Sequence, residues 1–263
     1  MELGLRGKVA MVAASSKGLG YGIARELARE GALVSIGSRN EAEIFDAAEA
    51  LTEETGSEVL ANVLDAANAD SIADWLENTT ETFGGVEMLV VNAGGPPAGT
   101  FDDFTDSEWQ DAFELTLMSS VRMIRAVLPF MRQEGGGSIL TLTSSSVKEP
   151  IDFLLLSNVM RSGVTSLAKS LSLQLASENI RVNNLMPGRI DTDRVRSLDQ
   201  MNAGKRGLDA DEIKAVNELG IPLGRYGTIE EFGKIGAFLL SDAASYITGQ
   251  TIAVDGGTIK TVW

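Results

Sequence analysis

The feature that most constrains this chain is an apolar run followed at once by a glycine turn and a helical pattern. Residues 9–13, Val-Ala-Met-Val-Ala, are continuously apolar, which predicts a short buried strand. The turn over residues 14–20 contains two glycines, which let the backbone approach a ligand closely. A helix that begins there presents free N–H groups and a positive dipole end. With a second apolar run at 33–37, the stretch predicts a βαβ unit that binds a dinucleotide.

The composition limits the class of protein. A length of 263 residues and a hydrophobic content of 44% predict one domain, spanning 1–263, with a large core. No apolar run reaches about 18 residues and no signal peptide is recognisable, so we expect a cytoplasmic protein without a membrane span. Cysteine and histidine are absent, which excludes thiol catalysis and removes the commonest metal ligands. The carboxylates lack metal-ligand spacing, so we expect no metal.

The charge balance limits the class of binding partner. A formal net charge of −15 makes nucleic acid and anionic membranes poor partners. The chain has 22 Lys and Arg residues and 37 Asp and Glu residues. This acidity fits a halophilic source and an ordinary acidic cytosolic protein equally well.

Short apolar runs alternate with helical patterns along the chain. The candidate strands are 8–13, 33–37, 58–63, 86–91, 138–143, 180–185 and 251–254. The candidate helices are 18–30, 40–55, 69–82, 106–132, 156–178 and 229–240. Continuously apolar strands are typical of parallel sheets covered on both faces, so the order predicts a Rossmann-type doubly wound α/β fold with seven parallel strands. The polar stretch 190–225 has little periodicity and predicts a substrate loop or lid.

Four motifs in register resemble those of the short-chain dehydrogenase/reductase family. Residues 14–20 resemble its TGxxxGxG turn, with Ala14 in place of the first glycine. Asn92-Ala93-Gly94 resembles its NNAG motif, residues 187–192 its PG motif, and residues 246–257 its C-terminal strand. The resemblance covers the whole chain. Within the family, the chain is similar to 3-oxoacyl-carrier-protein reductases and sugar dehydrogenases. It implies hydride transfer between a nicotinamide cofactor and a carbonyl or alcohol, in a homo-oligomer, expected to be a tetramer packed through helices 106–132 and 156–178.

The resemblance also implies a cofactor-binding set. Its members are Ala14, Ser16, Lys17, Gly18, Leu19, Gly20, Arg39, Asp65, Asn92, Ala93, Gly94, Arg161, Pro187, Gly188, Ile190 and Thr192. In the family, the residue matching Asp65 contacts the adenine ring, and those matching Ile190 and Thr192 reach the nicotinamide and the phosphates. Asp65 and Thr192 could also be helix N-caps.

The choice of cofactor depends on the end of the second predicted strand. A carboxylate there favours NAD(H), whereas an arginine pairs with the 2′-phosphate of NADP(H). Here the sequence is Gly37-Ser38-Arg39-Asn40, and Lys17 lies in the glycine turn on the same side. Two cations without a carboxylate favour NADP(H) over NAD(H), although both could be ordinary exposed charges.

The catalytic pattern of the family is altered. Ser144 matches the catalytic serine, but Ser157 and Arg161 stand where the Tyr-x-x-x-Lys pair is expected, and Thr116 stands at the relay asparagine. A serine hydroxyl is a much weaker acid than a phenol, whose pKa is about 10. Arginine cannot act as a base, but it can stabilise an oxyanion.

Two hypotheses follow. In an atypical reductase, Ser144 and Ser157 bind the substrate oxygen, Arg161 supplies positive charge, and water or Lys148 supplies the proton. A buried lysine can do this near neutral pH, but Lys148 could equally be a solvated loop residue. The alternative is an NADP(H)-binding sensor or structural subunit without catalysis.

The substrate is constrained only by the residues expected around it. Residues 152–156 are expected to shape a partly apolar pocket, unless they are core residues at the start of a helix. Arg189, Arg194 and Arg196 in the predicted lid could meet an acidic or phosphorylated substrate.

Overall fold

The computed structural model describes residues 2–262, which contain one parallel sheet of seven strands in the order β3-β2-β1-β4-β5-β6-β7. The strands are β1 (Val9–Ala13), β2 (Leu33–Ser38), β3 (Val59–Val63), β4 (Met88–Val91), β5 (Gly137–Leu142), β6 (Ile180–Pro187) and β7 (Thr251–Val254). This order confirms the predicted doubly wound Rossmann-type fold. All seven predicted strands are present, with ends that differ from the prediction by at most two residues.

Helices cover both faces of the sheet. They are α1 (Gly18–Arg29), α2 (Glu41–Thr55), α3 (Ala69–Phe83), α4 (Asp106–Ala112), α5 (Ser119–Gln133), α6 (Leu155–Gln174), α7 (Asp193–Arg206), α8 (Ala210–Leu219) and α9 (Ile229–Leu240). One core cluster joins α1, α2 and α9 to the sheet, and a second joins α3, α5 and α6 to it. Within the described residues, no helix is both long and apolar enough to cross a membrane.

The strand order reverses at β1, which pairs with β2 on one side and with β4 on the other. In a doubly wound sheet a crevice opens at this point, beyond the carboxyl ends of the strands. The loops after β1, β4, β5 and β6 therefore meet at one edge, and these loops carry the predicted motifs.

Helix 106–132 is not one uniform helix. The π-helical segment Phe113–Met118 separates α4 from α5. The hydroxyl of Ser119 donates to the carbonyl oxygen of Leu115, and that of Ser120 donates to the carbonyl oxygen of Thr116. Side-chain bonds of this kind compete with the backbone ladder and widen the helix locally. The predicted helix 156–178 likewise ends early, since α6 stops at Gln174 and the 3-10 turn Ala176–Glu178 follows.

The stretch 190–225, predicted to be a substrate loop or lid, contains two helices that the list of candidate helices lacked. Thr192 caps α7, its hydroxyl accepting from the N–H of Val195, and Asp209 forms a capping box with Glu212 at the start of α8. Such caps stabilise a helix without an apolar stripe. The buried side of α7 contains Asp199, which explains why hydrophobic periodicity did not reveal the helix.

Candidate active site

The turn after β1 has the backbone geometry of a phosphate-binding turn. Ala14 takes a left-handed conformation with φ of 49°, and Gly18 does so with φ of 65°. A Cβ at Gly20 would lie 2.5 Å from the carbonyl oxygen of Ala14, so the close approach requires glycine there. Asn92 Nδ2 donates to that same carbonyl over 3.2 Å, which ties the loop after β4 to the turn.

The first turn of α1 is open to an anion. Lys17, the N-cap residue, makes no side-chain hydrogen bond to the helix, so the first N–H groups keep their donor capacity. A Cβ at Gly18 would lie 3.7 Å from the Thr192 methyl group, so the PG loop borders this site. Leu19 packs partly into the core. These residues fit a nicotinamide dinucleotide with its diphosphate at the start of α1.

Residues of the PG loop divide between the site and the core. A Cβ at Gly188 would lie 2.5 Å from the Cα of Asp255, so glycine lets this loop pack against the chain after β7. Pro187 ends β6 and is half-buried. Ile190 is buried in the core and bridges Gly227. Thr192 is confirmed as a helix N-cap.

A carboxylate that sequence analysis missed lies against the glycine turn. Lys17 Nζ lies 3.3 Å from Glu43 Oε2, and the hydroxyl of Ser16 donates to the same carboxylate over 3.5 Å. Asn40 caps α2 by accepting from the N–H of Glu43, which directs this acidic first turn toward the cleft. The only signal in the sequence was an acidic residue shortly after the second strand. Its pairing with Lys17 could not be predicted, because the two residues are far apart in the chain.

Arg39 and Asp65 lie just beyond the carboxyl ends of β2 and β3. Arg39 is exposed, and its Nη2 lies 4.0 Å from the position that a Cβ at Gly94 would take, so it extends over the loop after β4. Within the described part of the chain it forms no ion pair. Asp65 is exposed and accepts from the N–H of Ala67 over 3.1 Å. The N-cap of α3 is Asn68, so the alternative role of Asp65 as a helix cap was wrong.

Ser157 and Arg161 form a joined pair on α6. Arg161 Nε donates to Ser157 Oγ over 3.2 Å, and Arg161 Nη1 donates to the carbonyl oxygen of Leu142 over 3.0 Å. The pair is thereby held against the carboxyl end of β5. Burial, together with repulsion from Arg194, lowers the pKa of Arg161 to about 10, so the group is charged at neutral pH.

Ser144 lies two residues after β5 and is half-buried, and its Oγ accepts from the N–H of Ser146 over 3.2 Å. Helix α6 packs against the turn that contains Ser146, which brings the Ser144 segment and the Ser157–Arg161 pair to the same edge of the sheet. Lys148, by contrast, is exposed, so the burial on which its role as proton donor depended is absent. Thr116 is buried in the π segment with an unpartnered hydroxyl.

No tyrosine occupies the position of the missing phenol. Tyr226 is buried, and its hydroxyl donates to Asp199 Oδ2 over 2.8 Å and accepts from Asn217 Nδ2. Burial raises the pKa of Tyr226 to about 12, and the hydrogen bond to Asp199 adds to the shift. Tyr246 is fully exposed, and Tyr21 lies in α1. Tyr226 therefore serves to hold α7 and α8 to the chain before α9.

The predicted pocket residues differ in their surroundings. Leu156 is fully buried in a small core cluster with Ala112 and Met160, so it belongs to the core. Phe153 is half-exposed, and Lys205 Nζ lies 3.9 Å from its ring centre, so a cation–π contact joins α7 to the loop before α6. Within residues 2–262, no cluster of three carboxylates could hold a metal ion.

Comparison with known proteins agrees with this geometry. A family model described as Enoyl-(Acyl carrier protein) reductase matches residues 13–258. Dehydrogenase/reductase SDR family member 4 of Homo sapiens is 34% identical over 255 residues, which cover 97% of this chain and 88% of the human protein. The chain belongs to the short-chain dehydrogenase/reductase family. The resemblance seen in the four sequence motifs is thereby confirmed.

Two solved structures of this family are informative. The L-sorbose reductase of Gluconobacter frateurii, complexed with NADPH and L-sorbose, is 32% identical with a TM-score of 0.95, and the match covers 100% of both chains. An NADPH-bound short-chain oxidoreductase of Pseudomonas aeruginosa PAO1, which contains an atypical catalytic center, is 29% identical with a TM-score of 0.87, and the match covers 97% of both chains. The present chain is an NAD(P)-dependent short-chain oxidoreductase.

Proposed function

We propose that this short-chain oxidoreductase reduces a ketone with NADPH, or catalyses the reverse oxidation, through a centre in which serines and an arginine replace the Tyr-x-x-x-Lys pair. The bond from Arg161 Nε to Ser157 Oγ carries this proposal. Because Ser157 Oγ accepts from Arg161, its own hydrogen is left to donate to a substrate oxygen. Ser144 supplies the second hydroxyl. The bound cofactor supplies the hydride.

Charge on the reacting oxygen is stabilised by the fixed guanidinium. Arg161 is charged at neutral pH and is anchored to Leu142, so it needs little reorganisation when negative charge develops nearby. The proton that completes the alcohol comes from water, since Lys148 is exposed and Ser157 is too weak an acid to give up its own proton.

NADP(H) is the preferred cofactor in this proposal. Arg39 extends over Gly94 without a carboxylate partner in residues 2–262, which leaves it available to a 2′-phosphate. Lys17 contributes less because Glu43 partly neutralises it. In this proposal Asn92, Ala93 and Gly94 line the adenosine ribose, and Thr192 reaches the phosphates beside the start of α1. Ile190, whose side chain is buried, contributes only backbone atoms at the nicotinamide end. Ser16, Pro187 and Gly188 stay in the predicted cofactor-binding set.

The substrate is a 3-oxoacyl-type ketone or a sugar-like polyol, and α7 and α8 form the lid over it. L-sorbose in the related reductase supports a polar carbonyl substrate. The protein assembles as a homotetramer, with α5 and α6 against a neighbour. Exposed Leu173 and Val159 on α6 support packing by that helix.

Binding and turnover test the proposal separately. Titration with NADPH and NADH, followed by fluorescence, should give tighter binding of NADPH, and Arg39→Ala should remove most of the difference. Oxidation of NADPH is then followed with a panel of ketones. Turnover would support the reductase, whereas tight binding without turnover on any ketone would favour the sensor or structural subunit.

A further inference from the structure

The three arginines at the start of the lid have different partners. Arg189 Nη1 pairs with Asp199 Oδ1 at 2.7 Å, and Arg196 pairs with Asp191 and Asp193. Arg194 forms no ion pair with any residue in the range 2–262, and its one hydrogen bond goes to the carbonyl oxygen of Pro96 over 3.3 Å. Two of the three cations are therefore neutralised, and Arg194 keeps its charge for another group.

Arg194 extends across the cleft. It begins on the first turn of α7, after the Thr192 cap, and reaches the loop that follows β4. A Cβ at Gly95 would lie 3.1 Å from Arg194 Nη2, so the absence of a side chain at Gly95 gives the guanidinium its place. The charge therefore lies between the carboxyl ends of β4 and β6, where the family binds its ligands.

A second cation without a carboxylate partner among the described residues, Arg161, lies at the end of a neighbouring strand. Arg161 forms no ion pair with any described residue and bonds the carbonyl oxygen of Leu142 at the end of β5, whereas Arg194 bonds that of Pro96 in the loop after the neighbouring strand β4. The repulsion from Arg194 that lowers the pKa of Arg161 agrees with this placement. Like charges repel each other, although Arg194 is exposed and water screens part of this repulsion. In a chain with a net charge of −15, carboxylates are plentiful, yet none is placed against this pair. An anion bound between the two groups would relieve the repulsion.

We propose that Arg194 and Arg161 together bind the acidic group of the substrate, which is then a short oxo acid. This inference rests on the proposed function, because it names the substrate class of the same site. Arg161 also bonds Ser157, so the acid lies within a few atoms of the carbonyl that Ser157 contacts. A carboxylate or a phosphate accepts paired N–H bonds from guanidinium groups, which a neutral ketone cannot do.

The diphosphate of the cofactor is the other possible source of such an anion. It has its own donors at the start of α1, bordered by Gly18 and Thr192. Arg194 lies instead against Gly95 and Pro96. The observations therefore favour the substrate, and the experiment separates the two sources.

The test measures binding without turnover. The protein is saturated with NADP⁺, which cannot reduce a ketone, and is titrated by calorimetry with acetoacetate or with methyl acetoacetate. The variants are Arg194→Gln and, as a matched control on the same helix, Arg196→Gln, which removes a charge already neutralised by Asp191 and Asp193. We expect wild type to bind acetoacetate more tightly than the ester. Arg194→Gln should weaken acetoacetate binding about 10- to 100-fold, as expected for a charged hydrogen bond, and Arg196→Gln should not.

Each alternative outcome is distinct. If Arg194→Gln weakens NADP⁺ binding and leaves acetoacetate unchanged, Arg194 serves the cofactor and the inference is wrong. If wild type does not prefer acetoacetate to its ester, the inference also fails, and turnover of neutral ketones with NADPH would still support the proposed function. If acetoacetate binding depends on Arg194 but no ketone is turned over, the anion site is supported and the proposed reductase activity is overturned.

Discussion

Arg161 Nε donates a hydrogen bond to Ser157 Oγ over 3.2 Å, so the two residues that replace the family's tyrosine and lysine act as one unit. The same guanidinium bonds the carbonyl oxygen of Leu142 at the end of β5. This bond links α6 to the sheet at the proposed catalytic site. The altered residues therefore form an ordered arrangement with one free hydroxyl hydrogen, which leads to the first prediction.

Ser157→Ala should lower kcat roughly 100-fold, the loss typical of removing one donor to a developing oxyanion, with a smaller change in KM. Ser162→Ala is the matched control, because its hydroxyl lies on the same helix and donates only to the carbonyl of Asn158. Steady-state oxidation of NADPH measures both variants. Equal turnover by wild type and Ser157→Ala would remove Ser157 from the catalytic centre.

The pH dependence should show an alkaline limit set by Arg161. Its pKa is lowered to about 10, so kcat should stay level from neutral pH and fall as pH rises through about 10, when the positive charge is lost. Deprotonation of Arg161 would not lower kcat by unfolding the protein. The depressed pKa means that the unfolded chain binds more protons above pH 10, so Arg161's contribution to stability increases there.

A pH–rate profile with circular dichroism at each pH checks this expectation. The dichroism identifies any loss of fold caused by other groups. A kcat that remains level well above pH 10, in a folded protein, would show that the charge of Arg161 is not needed.

Glu43→Gln should tighten NADPH binding about two- to five-fold and leave NADH binding unchanged. Glu43 competes with a 2′-phosphate for Lys17, and exposed ion pairs of this kind contribute less than about 1 kcal/mol. Glu41→Gln is the control, since it lies in the same first turn of α2 and carries the same charge. Fluorescence titration gives the dissociation constants. Equal tightening by both variants would indicate a general charge effect without a specific role for Glu43.

Exchange of alanine and glycine should have little effect at Ala14 and a large effect at Gly20. Ala14→Gly relieves a left-handed alanine, worth about 1–2 kcal/mol, but adds freedom to the unfolded chain, worth roughly 0.5–1 kcal/mol. Its Tm should change by a few degrees at most and its NADPH affinity less than two-fold. Gly20→Ala places a methyl group 2.5 Å from the Ala14 carbonyl oxygen, so it should lower Tm and weaken NADPH at least 10-fold.

Thermal denaturation and fluorescence titration measure this pair together. If Gly20→Ala binds NADPH as wild type does, the close approach at this turn has no part in cofactor binding. If Ala14→Gly binds at least 10-fold more tightly, the alanine has impaired the turn.

Polar residues limited how much of the structure could be predicted. The helices of 190–225 were missed because α7 buries Asp199, which is bonded to Arg189 and Tyr226, where a hydrophobic pattern would require an apolar side chain. The π segment was missed because Ser119 and Ser120 look ordinary in a helical pattern. In both places, hydrogen bonds between side chain and backbone, or among side chains, decide the local structure.

The sequence by itself determined the seven strands, the doubly wound class of the sheet and the glycine turn, because apolar runs, periodicity and a required glycine are local properties of the chain. It also showed that Ser157 and Arg161 replace the usual pair. Only the tertiary structure decided which charges are neutralised, since electrostatic pairing depends on distance in space. Glu43 meets Lys17, and Arg196 meets Asp191, whereas Arg194 meets no carboxylate among residues 2–262.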